Sequence, residues 1–284
     1  MKILVTGYNG QLGYDVVREL NFRHIDCKGT DMADFDITNQ AQTMEYIKNY
    51  APDAVIHSAA YTAVDKAEDE SEVCRKVNVD GSRNIALACR EVGAKMLYVS
   101  TDYVYGGRGD QPFAVTDTTD PQNVYGRTKL DGEKAVAETL REQFIVRTSW
   151  VFGINGNNFV KTMLRLGAQN EELKVVCDQI GSPTYTPDLA RVICDLIVTE
   201  KYGVYHATNE KYCSWAEFAA AIMQKAGLKA KITPIPTSEY PSKAKRPLNS
   251  RLSKKCLDEA KIERLPDWEN ALDRYLAELT IQSQ

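Results

Sequence analysis

Met1-Lys-Ile-Leu-Val-Thr-Gly-Tyr-Asn-Gly-Gln-Leu-Gly13 decides the fold. The short, largely β-branched run from Ile3 to Thr6 predicts a strand. Gly7, Gly10 and Gly13 predict a tight turn. Tyr14 to Leu20 predicts a helix, with Leu12, Val16, Val17 and Leu20 apolar at helical spacing. A dinucleotide needs strand, glycine turn and helix in this order. One glycine makes the turn, one lets the backbone approach the pyrophosphate, and one packs helix on strand. The spacing alone is weak, but a strand in front and a helix behind favour phosphate binding over a plain turn.

About 20 residues further on, such a unit carries an acidic residue for the adenosine ribose. Asp31 fits, closing the run His24 to Thr30, and no arginine lies between it and Thr38 to receive a 2′-phosphate. That leans towards NADH. Asp34 and Asp36 are rivals in the same loop, and Asp36-Ile37 alternatively lies near the adenine, with Thr38 or Asn39 capping the next helix.

Further along, Asn123-Val-Tyr-Gly-Arg-Thr-Lys-Leu-Asp-Gly-Glu-Lys134 carries Tyr125 and Lys129 four residues apart, on one helical face. A phenol with an ordinary pKa of about 10 is a poor donor near neutrality unless a cation favours its phenolate. Lys129 is expected to supply that charge and lower the Tyr125 pKa. Such pairs are common on solvated helices; the N-terminal turn is what points this one to acid/base work.

Between these signatures strands and helices alternate: a helix around Asn39 to Tyr50, a strand Ala54 to Ser58, a long helix around Ser71 to Val92, and a strand Lys95 to Ser100. The helix of Tyr125 and a strand Gln143 to Arg147 follow. Continuously apolar strands in this order predict an α/β fold, a Rossmann-type doubly wound parallel sheet. Beyond Thr148 the pattern changes. Gly153 to Asn158 reads as loop, Tyr185 to Lys201 as helix, and Pro234 to Pro247 as a polar wrap over the substrate side. We therefore expect a Rossmann domain from 1–148 and about 174–208, with a smaller, discontinuous α/β lobe from about 149–173 and 209–284 over the carboxyl ends of the strands.

At 284 residues and 43% hydrophobic, the chain can bury a large core. Thirty-five basic residues stand against 39 acidic, for a net charge of −4, and the only basic block is Lys243-Ala-Lys-Arg246, so nucleic acid is not an expected partner. Seven cysteines without CxxC spacing suit reduced thiols and a cytoplasmic location. His24, His57 and His206 are too dispersed to predict a zinc site. No signal peptide is read at the N-terminus, and no apolar run reaches the 18 or so residues of a membrane helix.

Gly7-x-x-Gly10-x-x-Gly13, Ser58-Ala-Ala-Tyr-Thr-Ala-Val-Asp65, Ser100-Thr-Asp-Tyr-Val-Tyr105, Tyr125-x-x-x-Lys129 and Arg147-Thr-Ser-Trp150 together resemble the extended short-chain dehydrogenase/reductases. Asn157-Asn-Phe-Val160, Asp178-Gln-Ile-Gly-Ser-Pro-Thr184 and Arg246-Pro247 resemble, within them, the dTDP-4-dehydrorhamnose reductases, so the similarity covers nearly the whole chain. This resemblance implies NADPH- or NADH-dependent reduction of the C4 ketone of a dTDP-6-deoxy-hexulose. Catalysis would fall to Thr101, Tyr125 and Lys129, with Ser100 open as the alternative hydroxyl. The implied cofactor set is Gly7, Asn9, Gly10, Gln11, Leu12, Gly13, Asp31, Asp36, Ile37, Ala59, Ala60 and Tyr61, with Tyr125 and Lys129. The implied substrate set is Val64, Thr101, Asp102, Tyr103, Trp150, Asn158, Phe159, Gln179 and Arg246, the arginine on the diphosphate. Some members dimerise around Mg2+ through glutamates, which no motif assigns here; a monomer or homodimer is expected, with no metal assigned. Two other readings stay open. One is a nucleotide-sugar epimerase or dehydratase that keeps its oxidised cofactor. The other is a non-catalytic regulatory homologue like the methionine adenosyltransferase β subunit, against which the intact Tyr125 and Lys129 argue.

Overall fold

A computed structural model describes residues 1–282. The first half alternates strand and helix: β1 (Lys2–Thr6), α1 (Gln11–Phe22), β2 (Asp26–Thr30), α2 (Gln40–Tyr50), β3 (Ala54–His57), α3 (Ser71–Arg75), α4 (Ser82–Val92), β4 (Lys95–Thr101), α5 (Val124–Thr139) and β5 (Gln143–Thr148). The second half contributes α6 (Phe159–Gln169), β6 (Glu172–Val176), α7 (Thr186–Ile197), β7 (Gly203–His206), α8 (Trp215–Lys225), β8 (Lys231–Ile235) and α9 (Trp268–Gln282).

Six strands pair in the order β7-β5-β4-β3-β1-β2, all parallel. The sequence forces this arrangement through its apolar runs. Successive residues of β1 point to opposite faces, and both faces are covered, so Ile3, Leu4 and Val5 are all buried. Ile3 and Val5 pack with Val16 and Leu20 of α1 and with Leu189 and Ile193 of α7. Leu4 packs on the other face with Ile85 of α4 and Val136 of α5. The chain leaves β1 for β2 on one side and returns to β3 on the other, and that reversal opens a crevice at the carboxyl ends, where such sheets bind ligands.

A third core, with Phe152, Val160, Met163, Phe218, Ile222 and Tyr275, builds the smaller lobe. There β6 and β8 form a parallel pair, Lys174 opposite Thr233. The return to the large layer expected near residue 174 therefore comes only at Thr186, where α7 begins. The helix expected from Ser71 to Val92 is also not uniform. A π-helical turn, Lys76–Gly81, joins α3 to α4. No helix among the described residues is long and apolar enough to cross a membrane.

Candidate active site

The first turn of the chain makes one end of the site. Gly7 has φ +76°, and a Cβ there would stand 2.7 Å from the Ala59 nitrogen; a Cβ on Gly13 would stand 2.2 Å from the Gly7 oxygen. No residue but glycine fits either position without displacing backbone. Gly10 is the N-cap of α1 and, lacking a side chain, leaves the helix's first N–H groups uncapped. This cradle fits a dinucleotide pyrophosphate. It opens on a cavity of about 760 Å³ that runs from Asp31 and Ile37, past Gly7 to Gly13 and Ala59, to Thr101, Tyr125, Lys129 and Trp150.

Most of the expected cofactor residues line that cavity: Gly7, Gly10, Gln11, Leu12, Gly13, Asp31, Asp36, Ile37, Ala59, Ala60, Tyr125 and Lys129. Asp31 accepts hydrogen bonds from the backbone N–H of Asn9 at 3.0 Å and of Met32 at 2.7 Å. Asp36 folds back on Thr38, accepting from its backbone N–H and its hydroxyl, both at 2.8 Å, and Asn39 caps α2. Asn9 and Tyr61 are outside the lining. The Tyr61 phenol donates to Glu70 at 2.5 Å on the surface, while its backbone N–H is held by the buried Asn78 at 2.8 Å.

The chemistry-bearing end stands where β4 meets α5. The Asn123 side chain caps α5 by accepting from the Gly126 N–H at 2.7 Å, which fixes Tyr125 in the first turn. Lys129, one turn on and buried, donates to the Val99 carbonyl at 2.7 Å and stands 4.1 Å over the Tyr98 ring. Burial pushes its ammonium down to about 7. Burial also pushes the Tyr125 phenol well above its ordinary value, and the Thr101 hydroxyl is the neighbour that pulls it back. The sequence predicts a lowered phenol; in this structure desolvation dominates and the phenol is raised.

Ser100 and Thr101, adjacent in β4, have separate duties. The Ser100 hydroxyl donates to Glu133 at 2.5 Å. Glu133 is locked to Arg147 by two bonds, Nε to Oε1 at 2.9 Å and NH2 to Oε2 at 2.6 Å, with both side chains buried. Arg147 in turn donates to the Tyr105 hydroxyl at 2.6 Å, which meets His206 Nε2 at 2.8 Å. Thr101, the last residue of β4, lines the cavity, and its hydroxyl donates to Asp102 Oδ1 at 3.1 Å. Burial pushes the Asp102 carboxyl up to about 6.

On the lobe side, Val64, Asp102, Tyr103 and Trp150 line the cavity. Trp150, at φ +50°, lies flat on Trp215, with centroids 3.7 Å apart and planes 13° from parallel. Four expected substrate residues are not in that lining. Phe159 packs in the lobe core against Trp215 and Phe218. Asn158 caps α6 and ties it to the glycine turn, donating to Gln11 Oε1 at 3.1 Å, an oxygen that also accepts from the Gly153 N–H at 3.0 Å. Gln179 is buried and donates to the Thr237 hydroxyl at 3.1 Å. Arg246 bridges Asp65 at 2.6 Å and the Tyr103 hydroxyl at 3.2 Å, so it braces the wall from behind. Sequence reasoning missed Met32, Thr62, Lys76 and Thr148, which the structure brings into the lining. A face count from Lys129 reaches Glu133 at the next turn, but Arg147, Tyr105 and His206 leave no local signal. Among the described residues no group of three or more His, Cys, Asp or Glu is placed to hold a metal ion.

The RmlD substrate binding domain family matches residues 1–281. A dTDP-4-dehydrorhamnose reductase of Escherichia coli (strain K12) is 40% identical over 294 residues, covering 98% of each chain. The chain belongs to the dTDP-4-dehydrorhamnose reductase family. Solved structures of that family superpose along its whole length. The dTDP-4-dehydrorhamnose reductase of Clostridium acetobutylicum is 42% identical, with a TM-score of 0.97 over 99% of this chain and 100% of the other. That of Bacillus anthracis, solved in complex with NADP, is 44% identical, with a TM-score of 0.95 over 98% and 100%.

Proposed function

We propose that this protein is an oxidoreductase that uses NADPH or NADH to reduce the C4 ketone of dTDP-4-dehydro-6-deoxy-L-mannose, giving dTDP-L-rhamnose. One observation carries the reading: a glycine turn that leaves the N-terminus of α1 uncapped opens into the same cavity as Thr101, Tyr125 and Lys129. When bound, a reduced nicotinamide supplies the hydride. Tyr125 delivers the proton to the ketone oxygen, and the Thr101 hydroxyl donates to that oxygen as negative charge develops on it. Lys129, held by the Val99 carbonyl, supplies the positive charge that favours the phenolate left behind and would hold the nicotinamide ribose. Val64, Tyr103 and the flat face of Trp150 enclose the hexose, and Arg246 serves the diphosphate by way of its place beside Tyr103.

The Asp31 carboxylate disfavours a 2′-phosphate, while the Bacillus anthracis relative was solved with NADP, so both cofactors are used, NADH at least as well. Seven free thiols suit a reducing cytoplasm, where the enzyme acts as a monomer or homodimer. The test is to supply dTDP-4-dehydrorhamnose with NADH and with NADPH and follow the absorbance of the reduced nicotinamide. Stoichiometric consumption is expected. A protein that instead carries tightly bound oxidised cofactor and consumes none is an epimerase or dehydratase.

A further inference from the structure

Thr101 has one hydroxyl proton, and Asp102 and the Tyr125 phenol compete for it. The Tyr103 N–H donates into Thr101 Oγ1 at 3.3 Å, and Oγ1 donates to Asp102 Oδ1 at 3.1 Å. In that state the hydroxyl has no proton left for a ketone; it can only accept. The other Asp102 oxygen, Oδ2, is buried, has no hydrogen-bond partner, and belongs to a side chain that lines the cavity. An ionised carboxylate with an orphaned oxygen is costly to bury, whereas a neutral carboxyl reverses the bond. Its O–H then donates to Thr101 Oγ1, the two lone pairs of Thr101 are filled by Asp102 and the Tyr103 N–H, and the Thr101 proton turns towards Tyr125 and the substrate.

We propose that Asp102 is a positioning residue that works as a neutral acid, aiming the Thr101 hydroxyl at the substrate carbonyl, and that its ionisation captures the Thr101 proton and switches the donor off. This rests on the reading of Thr101 as the carbonyl's donor. No bond to Asp102 is made or broken in the reaction: hydride adds to C4, the proton leaves Tyr125, and the Asp102 proton stays. Burial is what favours the neutral form, and it outweighs the Ser250 and Thr101 hydroxyls and the backbone groups of Asp102 and Tyr103, which favour the carboxylate. Tyr103 on its own turn and Tyr125 from α5 are phenols that burial holds protonated. Arg246 hydrogen-bonds the Tyr103 hydroxyl and is already paired with Asp65. Burial raises the Asp102 carboxyl to about 6, so the switch lies within the working range of pH.

The experiment is the pH profile of kcat/KM for reduction of dTDP-4-dehydrorhamnose by wild type, Asp102→Asn and Thr101→Val, with NADPH affinity measured by fluorescence to verify folding. Two ionisations are expected on the alkaline side of the wild-type profile, Asp102 near 6 and Lys129 near 7. Each loses the active form as pH rises, so wild-type kcat/KM should fall about tenfold per pH unit at first and about a hundredfold per unit once both titrate. The asparagine amide donates to Thr101 at every pH. Its kcat/KM should be several-fold below wild type at pH 5.5, with the first ionisation gone and only the limb near 7 left. The residual activity of Thr101→Val should lack the first ionisation too. An asparagine variant that binds NADPH normally but keeps both ionisations overturns the proposal. So does a loss of more than about a hundredfold at all pH, the scale of removing a proton donor. Wild type inactive with both cofactors would sink the functional reading itself, an outcome distinct from an unchanged profile.

Discussion

The two ends of the cavity are built in different ways. The cofactor end is mostly backbone: Gly7 to Gly13, the Asp31 turn and Ala59 meet main chain to main chain, at two positions where a Cβ would strike it, with Gln11 held by Asn158. The catalytic and sugar end is side chain. Thr101, Tyr125 and Trp150 come from separate elements, and Glu133, Arg147, Trp215 and Arg246 hold them from behind. At the cofactor end main chain sets the shape; at the catalytic end the shape depends on side chains held by other side chains.

That contrast is most exposed to attack at the buried ion pair. Glu133→Gln leaves Arg147 uncompensated between β4, β5 and α5 and should cost about 3–5 kcal/mol of stability, read by denaturant unfolding. A cost below about 1 kcal/mol would mean that the pair is not what supports the catalytic end. Tyr125→Phe comes next. It removes the proton donor and keeps the ring against Tyr103, so turnover should fall by about 10² or more while NADPH and NADH bind as before. Near-wild-type turnover would remove Tyr125 from the acid role.

Arg246→Ala separates the two ends directly. If the guanidinium serves the diphosphate, dTDP affinity should weaken by about 1.5–3 kcal/mol with no change for NADH, both by calorimetric titration. Loss of neither would leave Arg246 a brace for Tyr103, and equal loss of both would report a folding defect. The smallest effect belongs to the cofactor end. Asp31→Ala should shift the ratio of NADPH to NADH efficiency towards NADPH by about fivefold, equivalent to about 1 kcal/mol for a charge contact near water. A constant ratio would transfer the ribose role to Asp36 or to backbone.

What could be read from sequence follows the same division. The strands of the first half, the glycine turn and the Tyr125–Lys129 spacing are local patterns, and residues one turn or one pleat apart reveal them; the edge strand Gly203–His206 is not among the strands so read. The π-helical turn at Lys76–Gly81 is not: one turn of altered pitch vanishes in an apolar pattern, yet it sits where Lys76 joins the cavity wall. Asn158 and Phe159 carry a motif that resembles a nucleotide contact, while their geometry is that of a helix cap and a core ring. Pattern gives the residue type and its neighbours in the chain; only packing tells which way the side chain faces. The same limit hid the different partners of Ser100 and Thr101: both line the cavity, but the Ser100 hydroxyl is held by Glu133 and that of Thr101 meets Asp102.

The stacked pair Trp150 and Trp215 also gives the wall an optical signature. The chain has three tryptophans, and two of them lie face to face at 3.7 Å, with Gly181 leaving room for the ring: a Cβ there would stand 2.8 Å from Trp150. Indoles this close and nearly parallel share their excited states. The near-ultraviolet circular dichroism of the protein should therefore carry a contribution from this one spot, and a ligand that moves Trp150 should change that spectrum without a label.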